Sequence, residues 1–148
     1  MRTLKQNEES ALRQTIASAI EETGLQMIAV YLHGSYGTEY MRNDSDIDFA
    51  FLAERTLDFK ESMAFSVALQ KAFHDGELDT ADLRRSDTVF QAQVVTNGER
   101  VYTGDELAAQ RFEMTTLSKY ARLNEERESI IADIKQSGRV YRSDVRQT

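Results

Sequence analysis

The chain has 148 residues, a formal net charge of -7, and no Cys, Pro or Trp. This length suits one domain, and a hydrophobic fraction of 41% is enough to build a core, which excludes a fully disordered chain. The lack of Cys excludes disulfide scaffolds and thiol nucleophiles, and the acidic balance is a poor match for duplex nucleic acid. No apolar run has the length of a signal peptide core or a spanning helix, so we expect a cytoplasmic protein with no membrane partner.

The first half of the chain predicts two helices and two strands. Hydrophobic spacing predicts a helix over residues 8–23, ended by Gly24. Residues 25–33 and 46–53 predict two strands, and residues 58–73 predict a second helix. The aromatic residues of these segments are expected in the core: Phe49, Phe51, Phe59, Phe65 and Phe73.

The second half is more polar. Residues 77–83 predict a third strand, and Ser86 is expected to cap a short helix through Val95 that is closed by Asn97 and Gly98. Residues 100–102 predict a short edge strand, and residues 105–136 are helical, with or without an internal break. This order predicts an α/β (α+β) domain with a C-terminal helical tail.

The most informative stretch links the first two strands. Gly34 and Ser35 are predicted to form a turn in which backbone can approach a ligand closely, and a short helix expected to start there would offer N–H groups to phosphate. Asp46 and Asp48, two apart at the start of the next strand, point to the same side. Two aligned carboxylates repel each other unless a cation lies between them, and hard oxygen ligands suit Mg²⁺. The stretch therefore predicts a phosphate-binding turn beside a magnesium site.

Other interpretations of this stretch are weaker. A calcium-binding EF-hand loop starting at Asp44 would need Gly where Phe49 stands and Glu where Arg55 stands. A P-loop would need a Lys, and none lies between Gly34 and Ala53. A Gly-Ser pair or a lone Asp-x-Asp would most simply be a solvated turn or strand start, but the two together at this spacing favour a functional site.

Gly34-Ser35, ten intervening residues and then Asp46-x-Asp48 resemble the signature of the polymerase-β-like nucleotidyltransferases. The short chain with a helical tail resembles the minimal nucleotidyltransferase (MntA-type) branch, the antitoxins of HEPN–MNT toxin–antitoxin pairs. The resemblance covers roughly residues 25–102, and more weakly 116–139. It implies a polymerase-β-like fold with a small mixed sheet flanked by helices. The core would span residues 1–104, and residues 105–148 would be a helical extension of the same domain.

The resemblance also implies roles for individual residues. Asp46 and Asp48 match the metal-binding carboxylates, and a third, catalytic carboxylate would be Asp79, with Asp82 as the alternative. The nucleotide would be held by residues in and after the turn: Gly34, Ser35, Arg42 and Ser45. For His33, packing and nucleotide contact both remain open.

The implied reaction is Mg²⁺-dependent transfer of AMP from ATP to a tyrosine of the cognate HEPN ribonuclease toxin, with two metal ions expected. Two alternatives remain at this stage. The chain could neutralise the toxin by stoichiometric binding without chemistry, or it could modify small molecules such as aminoglycosides. The latter class usually adds an acceptor-binding domain, for which 148 residues leave little room.

Overall fold

The computed structural model describes residues 6–33, 47–73 and 78–137. In chain order the elements are α1 Gln6–Thr23, β1 Met27–His33, β2 Ile47–Ala53, α2 Phe59–Ala72, β3 Leu78–Asp82, α3 Thr88–Asn97, β4 Glu99–Thr103 and α4 Glu106–Ser137, with one turn of 3-10 helix at Leu83–Arg85. The α/β class predicted from the sequence is confirmed. The short helix expected after Gly34 and Ser35 falls outside the described residues.

The four strands form one mixed sheet in the order β3-β2-β1-β4. β1 is antiparallel to both β2 and β4, whereas β2 and β3 are parallel. A parallel pair needs a long crossover, which α2 supplies. The C-terminal end of β1 and the N-terminal ends of β2 and β3 consequently lie at the same end of the sheet.

Helices cover both faces of the sheet. Phe49 and Phe51 of β2 point into a core shared with α1 and α2. Ala50 and Leu52, which alternate with them, point into a second core beneath α3 and α4. Burial on both faces explains why residues 49–53 are a continuous apolar run. Side chains alternate between the two faces along a strand. Asp48, two residues before Ala50, therefore points to the same face as Ala50, toward α3 and α4.

The helix ends follow local capping chemistry, with one correction to the sequence prediction. Gly24 has a φ of 72°, the left-handed conformation expected after α1. The cap of α3 is Asp87, whose side chain accepts a hydrogen bond from the Phe90 N–H at 2.8 Å, so the prediction of Ser86 as the cap was wrong. Ser86 instead closes the 3-10 turn, donating its N–H to the Leu83 carbonyl at 3.2 Å.

The predicted core was wrong at Phe59. This side chain is 76% exposed, and Met63 and Val67 are also exposed on α2. Phe65 is fully buried on the opposite side of the helix. Each residue of an α-helix turns the chain by about 100°, so Met63 and Val67, each two residues from Phe65, point nearly half a turn away from it. Phe49 and Phe51 are buried as predicted, and Phe73 is partly buried against the same core.

α4 is unbroken over its 32 residues. Its first half packs on the domain through buried Ala109 and Thr116 and partly buried Phe112. The division of the chain between residues 104 and 105 stays a prediction. Within the described ranges, no helix is both long and apolar enough to cross a membrane.

Candidate active site

Three polar residues from three neighbouring strands form a row at one end of the sheet. The antiparallel pairing of β1 with β2 sets His33 opposite Asp48. The parallel pairing of β2 with β3 sets Asp48 opposite Asp79. Directly paired residues of adjacent strands point to the same face, so all three side chains lie on the α3 and α4 side. We call this set the His33–Asp48–Asp79 row.

The two carboxylates of the row, Asp48 and Asp79, are neighbours although they belong to different strands. Adjacent strands lie about 4.8 Å apart, so Asp48 and Asp79 repel each other unless a cation is bound between them. Asp48 is partly buried and Asp79 is exposed, which leaves the pair open to a ligand. Their oxygen atoms fit a hard cation such as Mg²⁺. Within the part of the chain that the structure describes, no group of three or more His, Cys, Asp or Glu side chains is placed to hold a metal ion.

Asp82, the alternative third carboxylate, lies on the other face of the sheet. It pairs with Phe51, and its side chain is only 8% exposed. Its Oδ1 accepts a hydrogen bond from the Arg84 N–H at 3.0 Å, and its Oδ2 lies 3.8 Å from Arg85 Nε. These contacts make Asp82 the cap of the 3-10 turn. The structure brings Asp79, and not Asp82, beside Asp48.

The remaining predicted site residues belong to the segment that joins β1 to β2. They lie outside the described residues: Gly34, Ser35, Arg42, Ser45 and Asp46. The described residues on either side of this segment are His33, at the end of β1, and Ile47, at the start of β2, and His33 pairs with Asp48.

His33 is held tightly at the edge of this row. Its ring meets the ring of Phe90 edge-on, with centroids 5.5 Å apart and an interplanar angle of 84°. Burial lowers the pKa of His33, while the charge of Asp48 and a hydrogen bond with the Phe49 backbone act in the opposite direction. The sequence left the role of His33 open because strand register, which places it opposite Asp48, is a non-local property.

A second polar cluster fastens α4 to the sheet. The buried Tyr31 hydroxyl donates a hydrogen bond to Glu113 Oε2 at 2.7 Å, and Arg100 Nε lies 3.2 Å from the same oxygen. Burial, followed by the hydrogen bond to Glu113, raises the pKa of Tyr31 far above its usual range. Because Tyr31 is only 2% exposed, its hydroxyl bonds within the fold, and the cluster links α4 to β1 and β4.

The chain belongs to the polymerase β nucleotidyltransferase family, whose model matches residues 14–107. It is also similar to the protein adenylyltransferase MntA of Shewanella oneidensis. The two are 38% identical over 105 residues, which cover 71% of this chain and 74% of the relative.

Solved structures of toxin–antitoxin complexes resemble the fold over most of its length. One is a crystal structure of a toxin–antitoxin with AMP-PNP, at 33% identity and a TM-score of 0.68, covering 83% of this chain and 98% of that chain. Another is the tri-AMPylated Shewanella oneidensis HEPN toxin in complex with MNT antitoxin. There the identity is 32% and the TM-score 0.66, covering 86% of this chain and 98% of that chain. These likenesses confirm the predicted resemblance to the minimal nucleotidyltransferase branch.

Proposed function

We propose that this chain is an antitoxin that transfers AMP from ATP to a tyrosine of a HEPN ribonuclease toxin. The observation that carries the proposal is the direct pairing of Asp48 with Asp79 in a chain 38% identical to a protein adenylyltransferase. A structure similar to this chain contains an AMPylated HEPN toxin with its MNT antitoxin, which supports the choice of partner. Because ATP is the donor, the reaction belongs in the cytoplasm.

In this proposal the carboxylates at the end of the sheet bind the metal. Asp48 and Asp79 would hold Mg²⁺ together with Asp46, the first carboxylate of the Asp46-x-Asp48 motif. When bound, Mg²⁺ would neutralise the phosphate charge that develops as the AMP phosphorus moves between oxygens. Asp79 is exposed, so its carboxylate can accept the proton of the incoming tyrosine hydroxyl.

The nucleotide would be bound by the segment between β1 and β2. Gly34 and Ser35 would offer backbone N–H groups and a hydroxyl to the triphosphate. Arg42 would add a positive charge, and Ser45 would add a hydroxyl beside Asp46. The product would be an AMP–tyrosine phosphodiester on the toxin, with pyrophosphate released. Its negative charge near an RNA-binding surface would repel RNA, which accounts for neutralisation.

The proposal is tested by incubating the purified chain with Mg²⁺, ATP labelled on its α-phosphate, and its cognate HEPN toxin. We expect label on a toxin tyrosine, located by peptide mass spectrometry. ATP labelled on the γ-phosphate is the matched control, because adenylyl transfer leaves the γ-phosphate in pyrophosphate and labels nothing. Label from the γ-phosphate would indicate a kinase, and no label from either donor with folded protein would contradict the proposal.

A further inference from the structure

His33 occupies a place in the active-site row that packing alone does not explain. It is the last residue of β1, directly opposite Asp48, whose other strand partner is Asp79. The contact with Phe90 could be made equally well by an apolar ring, without the cost of burying polar nitrogen atoms. An imidazole at this position therefore suggests that its nitrogen atoms form a functional polar interaction.

The surroundings of His33 fix the ring in place. The ring of Phe90 in α3 packs against it at an interplanar angle of 84°, with the two centroids 5.5 Å apart. The turn from α3 to β4 packs against the same residue at Gly98. A Cβ atom added to Gly98 would lie 3.5 Å from the His33 Cβ and 2.6 Å from the Val94 carbonyl oxygen. His33 is thus packed from two sides, by Phe90 of α3 and by the turn before β4.

A fixed imidazole beside a metal-binding carboxylate can orient that carboxylate. Imidazole offers a hydrogen-bonding nitrogen on each side of the ring, so one can bond backbone while the other faces a neighbour. Groups that orient metal ligands in this way typically change metal affinity about 10–100-fold when removed.

We propose that His33 is a positioning residue that holds the Asp48 carboxylate in the orientation needed to bind the metal ion. The inference rests on the proposed function, because it takes Asp48 as a metal ligand. His33 itself need not touch the metal, the nucleotide or the toxin. Its effect is exerted through Asp48.

The test measures Mn²⁺ binding to the toxin-free, nucleotide-free chain by electron paramagnetic resonance, since Mn²⁺ prefers the same carboxylate ligands as Mg²⁺. His33→Phe keeps the ring contact with Phe90 and removes both nitrogen atoms. We expect it to weaken Mn²⁺ binding about tenfold with little change in the thermal midpoint of unfolding. His33→Asn, which restores a side-chain hydrogen-bonding group, should recover part of the affinity.

Tyr31→Phe is the matched control. It removes a polar atom from the same face of β1, two residues from His33 and away from Asp48, so it should leave Mn²⁺ affinity unchanged. Asp48→Asn should abolish binding. If Asp48→Asn binds Mn²⁺ normally, the proposed metal site is wrong. If Asp48→Asn loses binding while His33→Phe matches the wild type, only the role of His33 is overturned.

Discussion

At the scale of single residues, Asp79 and Asp82 lie three positions apart on β3 but have different roles. Asp79 lies beside Asp48 at the candidate active site, whereas Asp82 caps the 3-10 turn. The sequence offered both as the third carboxylate, and strand alternation implied that only one could join Asp48. The register of β2 with β3 sets Asp79 beside Asp48 and turns Asp82 toward Phe51. The Asp82 carboxylate instead accepts a hydrogen bond from the Arg84 N–H and forms an ion pair with the Arg85 guanidinium.

Replacing these two carboxylates should therefore have opposite consequences. Asp79→Asn should lower AMP transfer by more than about 100-fold, because a carboxylate at the metal and proton-transfer position is lost. Its unfolding midpoint should not fall, since the exposed Asp79 pairs in register with another carboxylate and forms no salt bridge with the residues that the structure describes. Labelled transfer to the toxin and thermal unfolding measure the two effects.

Asp82→Ala should instead lower the free energy of unfolding by about 1 kcal/mol, the usual cost of a lost cap. Transfer by the folded fraction should stay within about twofold of wild type. Loss of transfer in folded Asp82→Ala, with activity retained in Asp79→Asn, would reverse the assignment.

At the scale of elements, α2 shows where a correct helix prediction still gives the wrong buried face. Apolar residues lie nearly all around this helix, so its periodicity does not single out the side that packs. The structure buries Phe65, Ala68 and Leu69 and leaves Phe59, Met63 and Val67 exposed. Only the packing of α2 against α1 and the sheet distinguishes the two sides.

Alanine substitutions on the two sides of α2 measure this difference. Phe65→Ala should cost about 3–5 kcal/mol in the free energy of unfolding, because it opens a cavity in the core. Phe59→Ala should cost no more than about 0.5 kcal/mol, as is usual for exposed positions. Urea denaturation of both variants provides the comparison. Equal costs would mean that Phe59 is buried in solution and that the packing described for α2 is wrong.

At the scale of the whole molecule, the fold class and the order of elements could be predicted because they depend on local hydrophobic patterns and on a spaced motif. Gly34-Ser35 and Asp46-x-Asp48 indicated the family from 15 consecutive residues. The pairing of His33 with Asp48, and of Asp48 with Asp79, could not be predicted in the same way. Such pairs join residues 15 and 31 positions apart, and their register depends on the crossover helix and on both cores.

We expect this chain to inactivate its partner by covalent modification and not by binding alone. A toxin modified by AMP stays inactive after the antitoxin is removed, whereas a toxin blocked only by binding recovers. The decisive measurement is the ribonuclease activity of the HEPN toxin after incubation with this chain, ATP and Mg²⁺, followed by purification away from the antitoxin. The control is the same procedure with Asp48→Asn.

We predict that toxin treated with the wild-type chain remains inactive after purification, and that toxin treated with Asp48→Asn recovers full activity. Recovery of full activity after treatment with the wild-type chain, at the level seen with Asp48→Asn, would mean that the chain acts by binding and not by AMP transfer.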